Sequence, residues 1–312
     1  MGPTITWPEG KRFAFTIFDD ADEDRFSNTK PVYDFLSDSG FRTTKSCWLE
    51  DGEPDHPLGE ECCENLNYLK WLIDLQEQGF EIGWHNARNS SSTREVTDRC
   101  LRRFKLYFDH SPKTMSNHFN NQETLYWGAD RLDHIYRWIY RLANFRAVMR
   151  DSFEGHNDLS PYFWGDLCRR NIHYCRNFVF PQMNTLKCCP SMPYHDERRP
   201  FVPWWYASSE GNSVVEFVHT IREEEQDRLE EEGGACIMYA HLAKGFHSDG
   251  RLNDRFESLM RRLSAKGGWF VPVGVLLDFL KAQPGGGEEL SAKERNRLQF
   301  TWLRTKLLKG AT

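Results

Sequence analysis

Phe13-Ala14-Phe15-Thr16-Ile17-Phe18-Asp19-Asp20 is the stretch on which the reading of this chain turns. The run from Phe13 to Phe18 is short, aromatic-rich and partly alternating, which is the pattern of a buried strand. Two adjacent carboxylates then end it, and their mutual repulsion disfavours ionising both. A bound cation would offset that repulsion. Successive strand residues face opposite ways, but at a strand end the backbone turns and both groups can reach one cleft. The competing reading is a solvated turn, because Asp20-Ala21-Asp22-Glu23-Asp24 continues acidic and looks like the start of a helix.

Strand-like runs recur along the chain, each followed by a helical or loop segment. Phe41 to Trp48 is the second, Phe80 to His85 the third and Lys113 to His118 the fourth. Phe145 to Met149 is expected as the fifth, Val202 to Ala207 as the sixth and Ala235 to His241 as the seventh. A last short strand is expected over Trp269–Val273, leading into helix Val275–Leu280. Helical spacing marks the segments between them, among them Leu66–Gln78, Glu95–Phe108, Arg131–Leu142 and Val218–Glu232. Alternating strand and helix predicts an α/β fold with parallel strands in a closed or wound sheet. Residues 1–283 read as one barrel domain, and 284–312 as a Gly-rich linker with a helical tail. Leu290, Leu298, Trp302 and Leu307-Leu308 form the docking face expected of that tail.

Composition narrows the function classes. With 312 residues, 39% of them hydrophobic, the chain can bury a sizeable core. The formal charge is −6 and no basic stripe stands out, so nucleic acid is not an expected partner. No run approaches the roughly 18 apolar residues of a membrane span, and no membrane partner is expected. The N-terminus lacks the basic and apolar regions of a signal peptide, so the expected location is cytoplasmic. Nine cysteines, odd in number and without a Cys-x-x-Cys pair, argue for reduced thiols rather than disulfides or structural zinc.

Four of the strand-like runs end in residues that core packing does not need: Asp19-Asp20, His85, His118 and His241. In parallel α/β barrels the reacting groups collect at the C-terminal ends of the strands. A single histidine there has an ordinary alternative as a buried imidazole bonded to backbone. Four such sites in the same topological position point instead to a shared centre. Carboxylates with imidazoles suit zinc or a related divalent ion, cobalt or manganese among them. The aromatic stretch 150–206 has the character of a sugar cleft, and equally of a core under a long loop. Trp164 within it, and Trp127 and Asn117 ahead of it, are candidate substrate contacts, and Asp166 is the candidate partner orienting His241.

Thr16-Ile17-Phe18-Asp19-Asp20 resembles the Thr-Phe-Asp-Asp motif that opens polysaccharide deacetylases of the NodB-homology type. Phe80 to Asn86 is similar to their second motif, a strand ending in a metal-ligating histidine. Tyr239-Ala240-His241 resembles the late strand carrying their general acid, and Phe270 to Val273 with Leu276-Leu277 their final strand and helix. The resemblance implies a distorted (β/α)7 TIM-like barrel and metal-dependent removal of an acetyl or similar acyl group from a carbohydrate or small acylated amine. It implies Asp19 as general base, Asp20 and His85 as metal ligands, and His241 as general acid. Where the family places a second ligating histidine this chain has Asn89, so His118 becomes the third metal candidate and Asn89 a substrate contact. The family's Arg-x-Pro-x-Gly motif is missing, and Asn117 or Asn121 could orient groups in its place. Two rivals stand beside this reading: a barrel that binds carbohydrate without turnover, and a glycoside hydrolase with two acting carboxylates.

Overall fold

All six residues of Ala14–Asp19 are buried, so the strand needs cover on both faces, as in a parallel sheet wrapped by helices. The computed structural model describes residues 5–52, 60–143 and 153–309. Seven parallel strands close into a barrel in sequence order. They are β1 (Ala14–Asp19), β2 (Thr44–Cys47), β3 (Glu81–Trp84), β4 (Thr114–Met115), β5 (Tyr174–Phe180), β6 (Trp204–Ser209) and β7 (Ala235–Ala240). The pairing of β1 with β7, in register from Ala14↔Ala235 to Asp19↔Ala240, closes the ring. The expected (β/α)7 barrel is the fold observed.

Side-chain direction along β1 sorts its residues. Phe18 meets Tyr206 of β6 and the Arg176 guanidinium of β5 inside the barrel. Phe15 packs on Phe41, and Asp19 receives a bond from Tyr33 outside it. Tyr33 belongs to α1 (Phe26–Asp38), which buries Thr29, Val32, Tyr33 and Leu36 as one stripe at helical spacing. The outer layer continues with α2 (Leu66–Glu77), α3 (Arg94–Phe108), α4 (His134–Ala143), α5 (Gly165–Asn171) and the single turn α6 (Thr185–Cys188). It is completed by α7 (Val214–Thr220), α8 (Glu223–Glu231), α9 (Asp254–Ala265), α10 (Val273–Lys281) and α11 (Ala292–Lys309). None of the helices of the described residues is long and apolar enough to cross a membrane.

Three expectations change. The strand placed at Phe145–Met149 lies outside the described residues, and the fifth barrel strand is β5, inside the stretch read as a long loop. Its Arg176-Asn177 pair hides the strand pattern, yet both are buried. Trp269–Val273 makes only a bridge to Ala14 before α10 begins. The helix expected over Val218–Glu232 is two helices, α7 and α8, broken at Ile221-Arg222.

The tail is built into the barrel wall. Backbone bonds Gly287 N–H to Pro193 O, His195 N–H to Glu288 O and Leu290 N–H to His195 O stitch the Gly-rich stretch to the segment before β6. Leu290, Leu298 and Trp302 are buried as expected, whereas Leu307 and Leu308 are exposed. Trp302 lies against Phe178 of β5 and stacks on Tyr140 of α4. Trp302→Ala should therefore destabilise the whole barrel by about 3–5 kcal/mol, read from urea unfolding. A loss below about 1 kcal/mol would show that α11 is only loosely attached.

Candidate metal and catalytic centre

The centre is assembled at the C-terminal ends of β1, β3, β4 and β7, with Arg176 reaching in from within β5. Asp20 N–H bonds Ala240 O at 2.8 Å, extending the β1–β7 ladder by one residue. Its carboxylate therefore continues the inward series begun by Phe18. Arg176 meets it with two bonds, Nη1 to Oδ1 at 2.9 Å and Nη2 to Oδ2 at 2.5 Å, and Ser116 Oγ donates to Oδ1 at 2.8 Å. Tyr239 faces the same guanidinium at 4.2 Å. Burial alone would raise the Asp20 pKa, but Arg176 and His85 outweigh it and hold the group below its usual range.

Two residues on, the chain turns back through Glu23, whose φ is 61°, and Asp22 is carried over the barrel mouth. Three imidazoles converge on it. His85 Nε2 lies 3.0 Å from Asp22 Oδ2, His241 Nε2 3.2 Å from the same oxygen, and His118 Nε2 3.2 Å from Oδ1. Asp20 Oδ2 is 3.9 Å from His85 Nε2. All five side chains are buried. Trp48 packs against His85 and His118, with ring centroids 4.7 and 5.1 Å away.

The far nitrogen of each ring fixes its tautomer. Ser116 Oγ gives its proton to Asp20, so it accepts from His85 Nδ1–H at 2.7 Å. Asn121 Nδ2 donates to Arg88 O, Ser90 O and Glu123 Oε1, which leaves Asn121 Oδ1 to accept from His118 Nδ1–H at 3.0 Å. His241 Nδ1–H donates to the carbonyl of Asn212 at 2.8 Å. Each neutral ring thus presents an Nε2 lone pair to Asp22, and lone pairs facing a carboxylate at this range repel. Protonating all three rings would bury three cations against one carboxylate, which is costly. A divalent ion held by Asp22, His85 and His118 would relieve that repulsion and leave His241 beside it able to carry a second proton. Donors about 2.1 Å from a common ion stand about 3.0–3.4 Å apart, and Asp22 lies 3.0 Å from His85 and 3.2 Å from His118. Asp22, His85 and His118 have ligand atoms within 4.8 Å of one another, as do Asp20, Asp22 and His241. Burial opposes charge on His118 and His241, but hydrogen bonds to Asp22 overcome it and raise both. Those same rings override burial at Asp22 and hold it well below the ordinary carboxylate range. Protons and a cation therefore compete for one set of donors.

The structure separates the residues expected from sequence into two groups. His85, His118, His241 and Asp20 meet at the centre. Asp19 does not: it points outward, where Leu242 N–H bonds its Oδ1 at 2.8 Å and Tyr33 O–H its Oδ2 at 3.1 Å. Lys45, wholly buried, lies 3.2 Å from Asp19 Oδ2 and 2.7 Å from Asp24 Oδ2. Thr29 and Tyr68 also donate to Asp24. Burial pushes the Asp19 pKa up to about 6 against the pull of Lys45. Asp166 is bound by Arg94 and Arg170 on the half-exposed surface and does not touch His241, whose partner is Asn212. Trp164 is a core residue, packed on Trp84 with its Nε1–H on Glu123 O. Trp127 carries Arg131 on its face at 3.7 Å. Asn117 ties its own loop through two bonds with the Leu125 backbone, and Asn89 donates to Glu60.

Sequence reasoning gives Asp22, Ser116 and Arg176 no role at the centre. Asp22 is legible only as one acid of a run, and Arg176 only as one polar group of the aromatic stretch 150–206.

No family model matches the chain, and no curated protein matches its sequence. Solved structures do. The allantoinase PuuE superposes with a TM-score of 0.52 at 11% identity, over 91% of this chain and 95% of that one. A probable polysaccharide deacetylase from Pseudomonas aeruginosa PAO1 gives a TM-score of 0.51 at 11% identity, with the same coverage. This chain has the polysaccharide deacetylase fold. The resemblance first carried by β1, β3 and β7 extends to nearly the whole deacetylase-type barrel, at an identity that speaks for the fold alone.

Lys45→Met should cost this barrel about 3–5 kcal/mol, because it leaves Asp19 and Asp24 buried without their cation. Losing Lys45 raises the folded Asp19 pKa further, so the native state holds that proton more tightly than the unfolded chain does. Its share of stability is present below the unfolded value near 3.9 and lost as the pH rises through the folded one. Unfolding from pH 4 to 8 should show the variant's deficit growing with pH. A deficit independent of pH would refute the buried-charge account.

Proposed function

We propose that the chain is a divalent-metal hydrolase that removes an acetyl or similar acyl group from an amino sugar or a related small amide. The observation that carries this is the convergence of three Nδ1-protonated imidazoles on the Asp22 carboxylate at 3.0–3.2 Å. Asp22, His85 and His118 would hold the ion, with His241 and Asp20 facing it. Imidazole and carboxylate donors suit zinc, with cobalt and manganese as alternatives. Such an ion supplies Lewis-acid activation of water and of the scissile carbonyl. The names of the two structural neighbours, an allantoinase and a probable polysaccharide deacetylase, are in keeping with hydrolysis at an amide or acetyl group.

The protein's own groups divide the proton work. Water adds to the acyl carbon, the C–N bond breaks, and the acyl group departs as a carboxylic acid. Asp20, kept ionised by Arg176 and Ser116, accepts the water proton at Oδ2, the oxygen turned toward His85. His241 acts as the imidazolium: with Nδ1–H on Asn212 and its pKa raised, against burial, by the bond to Asp22, it delivers its second proton from Nε2 to the leaving nitrogen. This moves the base role one residue along from Asp19 and the carboxylate-ligand role two residues along from Asp20.

One observation favours a second reading, a metal-holding barrel without turnover. The bidentate Arg176 pair depresses the Asp20 pKa and makes it a weak base. A glycoside hydrolase fits less well. Asp20 is held by Arg176 and Asp22 is ringed by three imidazoles, whereas a pair of acting carboxylates needs one acid and one base or nucleophile free for the sugar.

Metal analysis of protein purified without chelator or nickel resin separates these readings. About one zinc, cobalt or manganese per chain is expected, falling at least tenfold in Asp22→Ala and His118→Ala and unchanged in Asp19→Asn. Metal retained by Asp22→Ala, or lost from a folded Asp19→Asn, would overturn the ligand set. With metal in place, acyl release from acetylated amino sugars supports the hydrolase, and its absence across amides and esters supports the second reading.

A further inference from the structure

The helices α4 and α11 pack side by side and leave large apolar side chains in solvent. On α4, Ile135, Trp138 and Leu142 are each 61% exposed and lie on one stripe, at i, i+3 and i+7. On α11, Phe300, Leu307 and Leu308 are 55, 49 and 72% exposed, also on one stripe. An apolar groove of about 290 Å³ runs between the helices, lined by Tyr136, Ile139, Phe300, Leu303 and Leu307 with Arg304 at its edge. Scattered apolar residues on a surface need no explanation, but a contiguous patch rimmed by polar groups marks a contact surface.

Charge says what kind of surface fits it. The chain as a whole carries −6, yet these two helices carry eight Arg and Lys against the single Glu294. Some of that charge is used internally: Arg295 is buried against Asp196 and Glu289, and Arg137 faces Asp130. Lys293, Arg297 and Arg304 fall on the same exposed stripe as Phe300 and Leu307, and Arg141 adjoins Leu142. None of these four has an ion-pair partner among the described residues. A second copy meeting this face by two-fold symmetry would bring those cations against their own kind. An anionic bilayer takes both components: aromatic and aliphatic side chains enter the headgroup boundary, and Lys and Arg pair with lipid charge.

We infer that the α4–α11 face is a peripheral docking surface for anionic membrane, holding the barrel at a bilayer without spanning it. This inference stands apart from the chemistry of the centre and survives or fails independently of it.

Vesicle flotation of the full chain tests it, using phosphatidylcholine alone and phosphatidylcholine mixed with phosphatidylserine. The chain should float with the anionic vesicles only, and raising salt to about 0.5 M should release it. Arg297→Gln and Arg304→Gln should each lower partitioning about fivefold, and Trp138→Ala with Phe300→Ala should abolish it. All four side chains are exposed, so the variants should keep the parent's circular dichroism and thermal unfolding. Three results would overturn the inference. They are no flotation with anionic vesicles at low salt, equal flotation with neutral ones, or a concentration-dependent dimer in light scattering that the same variants abolish.

Discussion

Asp20 and Asp22 stand two residues apart, both buried at the barrel mouth, and neither can remain ionised there without cations around it. The architecture answers that constraint twice. Asp20 is neutralised from within by Arg176, reaching across from β5. Asp22 is met by three imidazoles from the ends of β3, β4 and β7, each with its proton directed away. The first carboxylate is closed off by protein. The second presents a set of donors that a divalent ion completes.

A third buried charge system lies behind the first two. Asp19 and Asp24 share Lys45, with Tyr33, Thr29, Tyr68 and the Leu242 amide completing the set. It joins β1, β2, α1 and the loop after His241, the elements that flank the Asp20–Asp22 turn. Strand geometry explains why adjacent aspartates serve different ends: Asp19 faces the helix layer and Asp20 the barrel interior. Rigidity of the turn and the donor arrangement at Asp22 thus share a structural origin, although the charge systems themselves are distinct.

Much of the fold was legible because β1, β3 and β7 combine an apolar run with a polar terminal residue, and such signals survive in a single sequence. His85 and His241 stand one residue past β3 and β7, and His118 three residues past β4, so all three read as candidates and the fold brings them together. What escaped was whatever long-range pairing decides. Arg176 reads as one polar group of an aromatic stretch until Asp20, 156 positions away, is seen to neutralise it. Asp22 reads as part of a solvated acidic run until the turn at Glu23 folds it over the barrel. Asp166 and Trp164 had suitable chemistry but the wrong neighbours, Arg94 and Arg170 for the one and Trp84 for the other. Residue type could nominate them, and only packing could place them.

The central claim is that Asp22, in place of Asp20, joins His85 and His118 around one ion. Diffraction from zinc-soaked crystals, recorded on both sides of the zinc absorption edge, tests it most directly. The account predicts a single anomalous peak about 2.0–2.2 Å from His85 Nε2, His118 Nε2 and an Asp22 oxygen, with Asp19 still bound to Lys45. A peak ligated by Asp20 and not by Asp22, or no peak in this cluster at saturating zinc, would contradict it.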